Sequence, residues 1–166
     1  MRTLILPCGL LALALTPAVG LAAATATSSG TITSTIRSPL TLTVGSAMSF
    51  GTVLQPASGS GTLTLSTGGA LSATGFTLTR LTSSTLSAGA FTVSGDANAA
   101  ITVTIPSSFT LTSGANTLTV TTISSPGTAL GTGGTLSVLV GGSMPFGSST
   151  ARGNYVGTLT VSASYN

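Results

Sequence analysis

The chain has 166 residues, of which 42% are apolar and only 3% are charged: four Lys or Arg, one Asp or Glu, and no His. General acid–base catalysis and metal binding need clusters of titratable side chains, so the composition argues against an enzyme and against any cofactor or metal site. A net charge of +3 without lysine offers no basic stripe to a nucleic acid, and none is expected as a partner.

The first 24 residues are predicted to be a secretory signal peptide. Arg2 gives a positive start, residues 4–15 form an apolar run, and small residues around Ala22 and Ala24 suit cleavage. The apolar run is too short to span a bilayer, so no transmembrane span is expected in the mature chain. The predicted route is export through the periplasm to the cell surface or the medium.

Residues 25–38 are predicted to form an N-terminal arm or extension. Ile32 and Ile36 fall on one side of an extended chain, and Pro39 interrupts pairing between this segment and the strand after it. Such an arm can donate a strand to a neighbouring molecule, with Ile32 and Ile36 as its anchoring side chains. The alternative is a loose extension that pairs with its own sheet.

Residues 39–166 are predicted to form one all-β domain. Apolar residues alternate with Thr or Ser at a period of two, in short runs separated by Gly, Ser, Asn and Pro, and no stretch has helical periodicity. Together with the early run in the arm, the predicted strands are Thr31–Ile36, Leu40–Val44, Met48–Leu54, Gly61–Ser66, Phe76–Leu81, Ala90–Ser94, Ala99–Ile105, Thr117–Ile123, Thr135–Val140 and Tyr155–Tyr165. This pattern favours an antiparallel β-sandwich, with a barrel as the alternative.

The final run, Tyr155–Tyr165, alternates most regularly. One of its faces is apolar and carries Tyr155, Leu159, Val161 and Tyr165. Two interpretations stay open for this face: an edge strand that closes the sandwich, or a recognition strand held by a periplasmic chaperone through backbone pairing and side-chain pockets.

The order of several short motifs resembles the bacterial domain of unknown function 4402 family, small secreted proteins of Gram-negative organisms. The motifs are Pro39-Leu40-Thr41-Leu42, Met48-Ser49-Phe50-Gly51, Ala90-Phe91-Thr92-Val93-Ser94-Gly95, Ile101-Thr102-Val103-Thr104-Ile105-Pro106, Val140-Gly141-Gly142-Ser143-Met144, Gly153-Asn154-Tyr155-Val156-Gly157-Thr158 and Ser164-Tyr165-Asn166. The resemblance implies an immunoglobulin-like or pilin-like sandwich, similar to spore-coat-type and chaperone–usher subunits. In those subunits an aromatic residue near the C-terminus closes the last strand, and Tyr165 has that place here.

The leading functional hypothesis is a secreted, non-enzymatic structural subunit of a surface fibre or coat that assembles by β-strand complementation. Its expected partners are further copies of itself, a periplasmic chaperone and an outer-membrane usher. The alternative is a monomeric surface or carbohydrate-binding module, although the sequence has no aromatic loop cluster to support it. Thr-x-Thr repeats also suggest an ice-binding face, but their uneven spacing argues against the fixed period that a solenoid needs.

Overall fold

The computed structural model describes residues 27–166, and within this range the chain has nine β-strands and no helix. The strands are β1 (Thr41–Ser46), β2 (Ser60–Leu65), β3 (Leu71–Thr74), β4 (Gly89–Ser94), β5 (Ile101–Thr104), β6 (Ser108–Ser113), β7 (Asn116–Ser124), β8 (Thr135–Gly147) and β9 (Ser162–Tyr165). Every strand pair is antiparallel, which confirms the predicted all-β antiparallel class and is consistent with a β-sandwich. The predicted signal peptide lies outside the described residues. In the part that is described, no helix has the length and apolar character needed to cross a membrane.

Internal contacts divide the chain into a unit that ends at Thr35 and a compact unit, Ile36–Asn166, that contains all nine strands. In the described part of the first unit, residues 27–35, every residue is exposed and none is in a strand. The predicted strand Thr31–Ile36 is therefore wrong for the single chain. Alternation alone does not make a strand, because backbone groups without a neighbouring strand are satisfied by water instead.

Strand β8 organises the larger of two sheets. This seven-stranded sheet follows the path β1-β4-β8-β2-β3, and β7 joins it by pairing with both β8 and β6. Residues 135–140 of β8 pair with β4, residues 142–147 pair with β2, and residues 140–143 pair with β7. Strands β5 and β9 form the second, two-stranded sheet.

The middle of β8 consists of two glycines because three strands crowd against it. A Cβ at Gly141 would collide with the carbonyl oxygen of Leu65 on β2, and a Cβ at Gly142 would press on the Val120 side chain of β7. The sequence prediction ended this strand at Val140, immediately before the Gly pair. In the structure the pair lies inside the strand and permits close backbone approach.

Two apolar clusters form the core. The first lies between β4, the first half of β8 and the β5–β9 sheet, and the second lies beneath β2, β7 and the second half of β8. The buried members of the first are Phe91, Val93, Ala99, Ile101, Leu130, Val138, Val140 and Val161, and those of the second are Leu63, Val120 and Met144. Phe50, Phe76, Phe109 and Phe146 pack against the second cluster, so all five phenylalanines contribute to the core.

The predicted strand Tyr155–Tyr165 is wrong over most of its length, because only Ser162–Tyr165 is a strand. The chain makes a single bridge from Val156 to Thr112 on β6, and then pairs with β5 from Ser162 onward. This segment thus passes from the sheet that contains β6 to the sheet that contains β5. It therefore cannot form one continuous strand with a single partner.

Other strand predictions differ from the structure in both directions. Strands β3 and β6 were not predicted, while 48–54 and 76–81 contain only isolated bridges, among them Ser49 to Ser87 and Val53 to Arg80. Their apolar residues still pack against the core. The alternation of apolar and polar residues therefore identified which side chains point inward in these segments, but it did not identify the backbone pairing.

Candidate functional site

An apolar groove lies between the chain around the end of β1 and the segment before β9. One wall includes Val44 and Met48, and the other includes Val156 and Leu159. Phe91, Phe109, Leu111 and Met144 also line it. This cavity has a volume of about 460 Å³.

A second cavity of about 540 Å³ continues from the first. The two share Phe50, Gly51, Met144 and Tyr155 in their linings, and we call them together the assembly groove. Its far end is polar, where the Arg152 Nε donates a hydrogen bond of 2.8 Å to the Gln55 side-chain oxygen. A ligand in this groove would meet mainly apolar surface in the first cavity and a mixed polar and apolar surface in the second, with the Arg152 guanidinium at the end.

The rim of the assembly groove leaves apolar side chains in contact with solvent. Val44 is 68% exposed and Val156 is 60% exposed, although both belong to a domain with a well-packed core. Exposed apolar side chains at the rim of a groove are candidates for contact with a ligand or another chain. Within the described residues, the wall at 154–159 pairs with other strands only through the Val156–Thr112 bridge.

A hydrogen-bonded contact joins the end of the chain to the base of the arm, and we call it the arm-root contact. The Tyr165 hydroxyl donates to the Ser38 carbonyl at 3.1 Å and accepts from the Asp96 N–H at 2.8 Å. The Ser38 N–H donates to Asp96 Oδ1 at 3.0 Å. The Arg37 guanidinium lies 5.2 Å from the centre of the Tyr165 ring, within reach of a cation–π interaction.

The hydrogen bond from Ser38 lowers the pKa of the Asp96 carboxyl below its ordinary value, because it stabilises the charged form. The Asp96 carboxylate thus binds a residue 58 positions away in the sequence. Gly95 makes room for this contact, since a Cβ there would collide with the Tyr165 hydroxyl.

The structure places the predicted site residues in different surroundings. Tyr155 and Leu159 line the assembly groove, Val161 is buried in the first core cluster, and Tyr165 forms the arm-root contact. Ile32 and Ile36 are 96% and 93% exposed. Tyr155, Leu159, Val161 and Tyr165 therefore all point inward, but they do not form one common site.

Sequence reasoning missed several lining residues. Val156 was assigned to the wet side of its run, and Val44 and Met48 were treated as ordinary strand residues. The alternation gave no signal for them, because the groove arises where the two walls approach in space. Among the described residues, no three His, Cys, Asp or Glu side chains gather into a possible metal site.

The family model named Domain of unknown function (DUF4402) matches residues 40–165. The chain belongs to the DUF4402 family. The match covers all nine strands, both walls of the assembly groove and Tyr165, and it begins after the predicted arm. Searches of curated proteins and of solved structures gave no match.

Proposed function

We propose that this DUF4402 protein is an exported, non-enzymatic structural subunit of a surface fibre or coat. Subunits would assemble by β-strand complementation, with the arm of one copy entering the assembly groove of the next. The arm would add a strand to an immunoglobulin-like, pilin-like sandwich. The proposal includes the signal peptide, passage through the periplasm and the final location at the cell surface or outside the cell.

The observation that carries the proposal is a pair of unmatched apolar surfaces in one chain. Ile36 is almost fully exposed, and the assembly groove has an apolar lining with exposed valines at its rim. Burial of one Ile side chain contributes about 1.5–3 kcal/mol, so leaving these surfaces apart is costly. Residues 25–36 carry no charge that would oppose entry into the groove.

Chain geometry keeps the Ile36 side chain away from the groove of its own domain. Ser38 is fixed to Asp96, beyond the start of β1, where Thr41 pairs with Ser94. Ile36 is two residues before Ser38 and so reaches at most about 7 Å from it. Val44 lies in the opposite direction along the chain, about 10 Å beyond Thr41 in β1. Ile36 therefore cannot fill the groove of its own molecule.

The wall at 154–159 offers a backbone edge to an incoming strand. Val156 directs both its N–H and its C=O to Thr112, at 3.0 and 2.8 Å. In an extended chain the neighbouring residues, Tyr155 and Gly157, direct theirs to the opposite side. Ile32 and Ile36 are four residues apart and so about 13 Å apart on one side of a strand, which suits one cavity on each side of Tyr155.

An open apolar groove also gives a reason for an assembly chaperone. A periplasmic chaperone would cover the groove during transit, and an outer-membrane usher would replace it with the arm of the next subunit. The resemblance to chaperone–usher subunits supports these partners. The alternative function, a monomeric surface or carbohydrate-binding module, requires that the domain be stable and soluble with its groove unfilled.

The experiment compares the mature protein with the double variant Ile32→Ser/Ile36→Ser by size-exclusion chromatography with light scattering. We expect a ladder of oligomers for the unmodified protein and monomers for the variant. Thr33→Ala/Thr35→Ala is the matched control, since these residues have the opposite parity in the same arm, and it should assemble normally. Unchanged assembly after deletion of residues 25–37 would refute the donor-arm mechanism.

A further inference from the structure

Five hydroxyl side chains form a continuous row across five neighbouring strands. The pairs that define it are Ser108 with Thr121, Thr121 with Ser143, Ser143 with Thr64, and Thr64 with Ser72. The row therefore crosses β6, β7, β8, β2 and β3 without interruption. We call these five residues the hydroxyl row.

Further hydroxyl pairs flank the row on the same face of the sheet. Thr110 pairs with Thr119 and Thr62 pairs with Thr74, and both pairs lie on the same side of the row, with Pro145 of β8 between them. Thr-x-Thr repeats at uneven intervals in the sequence thus become aligned in space through the strand register. Hydroxyl residues that are unevenly spaced along the chain are therefore regularly spaced across the sheet.

The hydroxyl row faces away from the core. On the same strands, residues of the opposite parity are the buried Leu63, Val120 and Met144. No charged residue occurs in any of the nine strands. The face is therefore neutral, and each of its hydroxyls can both donate and accept a hydrogen bond.

We propose that the hydroxyl row binds an extended neutral polysaccharide. Neighbouring strands are about 4.8 Å apart, so five strands give a row about 19 Å long with a hydroxyl at each step. A neutral glycan presents hydroxyls that donate and accept in the same way, while an anionic or cationic polymer would find no opposite charge on this face. The Thr methyl groups add apolar contact.

Sheet twist favours a chain over a crystal plane as the partner. Adjacent strands rotate by roughly 20–25° relative to each other, so five strands do not present a flat plane to ice. A flexible linear polymer can follow that rotation. The face lies on the opposite side of the sheet from the second core cluster, and so glycan binding does not require strand exchange. In a fibre, each subunit would add one such row and raise avidity.

The test uses the folded, full-length mature protein in affinity electrophoresis through gels with hydroxyethyl cellulose, dextran or starch, and pull-down on insoluble cellulose and chitin. The row variant is Thr64→Val/Thr121→Val, which keeps the shape and β-propensity of the side chains but removes two hydroxyls. The control is Thr104→Val, an exposed Thr on β5 in the other sheet. Circular dichroism and thermal unfolding verify that each variant is folded, and the edge variant Ser72→Ala/Ser108→Ala replaces the first if it does not fold.

We expect retention of the protein by at least one neutral polysaccharide, a loss of about tenfold or more in affinity for the row variant, and no change for the control. No retention by any of the five polysaccharides would overturn the proposal, and so would equal retention of row variant and control. Inhibition of ice recrystallisation that is lost in the row variant, without glycan binding, would assign the face to ordered water instead. A change in oligomer size in the row variant alone would assign it to contact between copies. The arm variants leave the row intact, so failure of strand exchange and failure of glycan binding are separable.

Discussion

Tyr165 shows how one side chain connects distant parts of this chain. Its hydroxyl donates to Ser38 and accepts from Asp96, so the C-terminal strand, the β4–β5 connection and the base of the arm meet at one atom. Strand alternation and the family resemblance both indicated Tyr165 as a sheet-closing residue. Neither indicated Ser38 or Asp96 as its partners, because a hydrogen bond between residues far apart in sequence leaves no local pattern.

Replacing Tyr165 by Phe removes both hydrogen bonds and keeps the ring that packs against the first core cluster. We expect the free energy of unfolding to fall by about 1–3 kcal/mol, because two hydrogen bonds are lost and each contributes about 0.5–1.5 kcal/mol. Urea unfolding followed by circular dichroism measures it. The control is Tyr155→Phe, whose hydroxyl donates only to the nearby Ala151 carbonyl and should matter less. Equal losses in both variants would contradict the assigned role of the arm-root contact.

At the scale of elements, the alternation of apolar and polar residues predicted several strands closely. The predicted runs that became β1, β2, β4, β5 and β7 match within a few residues, because period-two alternation reflects one buried and one wet face. Prediction failed where a segment changes partners or lacks one. The segment 155–165 passes between sheets, and 31–36 has no partner strand in the single chain.

The assembly groove was predictable only in part for the same reason. Tyr155 and Leu159 followed from the apolar parity of the last run. Val44 and Val156 did not, since they are 112 residues apart in sequence and belong to the same groove only because the two walls approach each other in space.

The Gly pair in β8 provides a test at this scale. Gly141→Ala places a Cβ against the Leu65 carbonyl oxygen, so β2 and β8 must separate. We expect a loss of about 1–3 kcal/mol in the free energy of unfolding, as is typical of overpacking. Gly133→Ala is the control, because nothing lies within 4 Å of a Cβ at that position. A urea midpoint for Gly141→Ala that equals the control would show that the three-strand junction is not so tightly packed.

For the whole molecule, the scarcity of charge links the two proposals. Many sheet proteins protect exposed edges with Lys or other charged residues, and none of these nine strands carries one. Such edges are suited to pairing with another chain rather than to avoiding it. The same neutrality makes the outer face a hydroxyl surface instead of a charged one, so the proposed assembly and the proposed glycan binding both rest on one compositional property.

The scarcity of charge also predicts how stability responds to pH. Asp96 is the only acidic side chain, and the chain has no histidine. Its folded pKa lies below the ordinary value of 3.8, so ionised Asp96 stabilises the folded state. This contribution is fully present above about pH 5 and is lost as the pH falls through the folded pKa, when the unfolded chain binds the proton more readily.

We therefore expect the urea midpoint to stay nearly constant from about pH 5 to pH 8 and to decrease only in stronger acid. The decrease should be small, since the carboxyl is exposed to solvent. Asp96→Asn is the matched variant, because its side-chain oxygen can still accept from Ser38 but does not titrate. Its midpoint should change less between pH 5 and pH 2.5 than that of the unmodified protein. An equal decrease in both would mean that acid acts through a group other than the arm-root carboxylate.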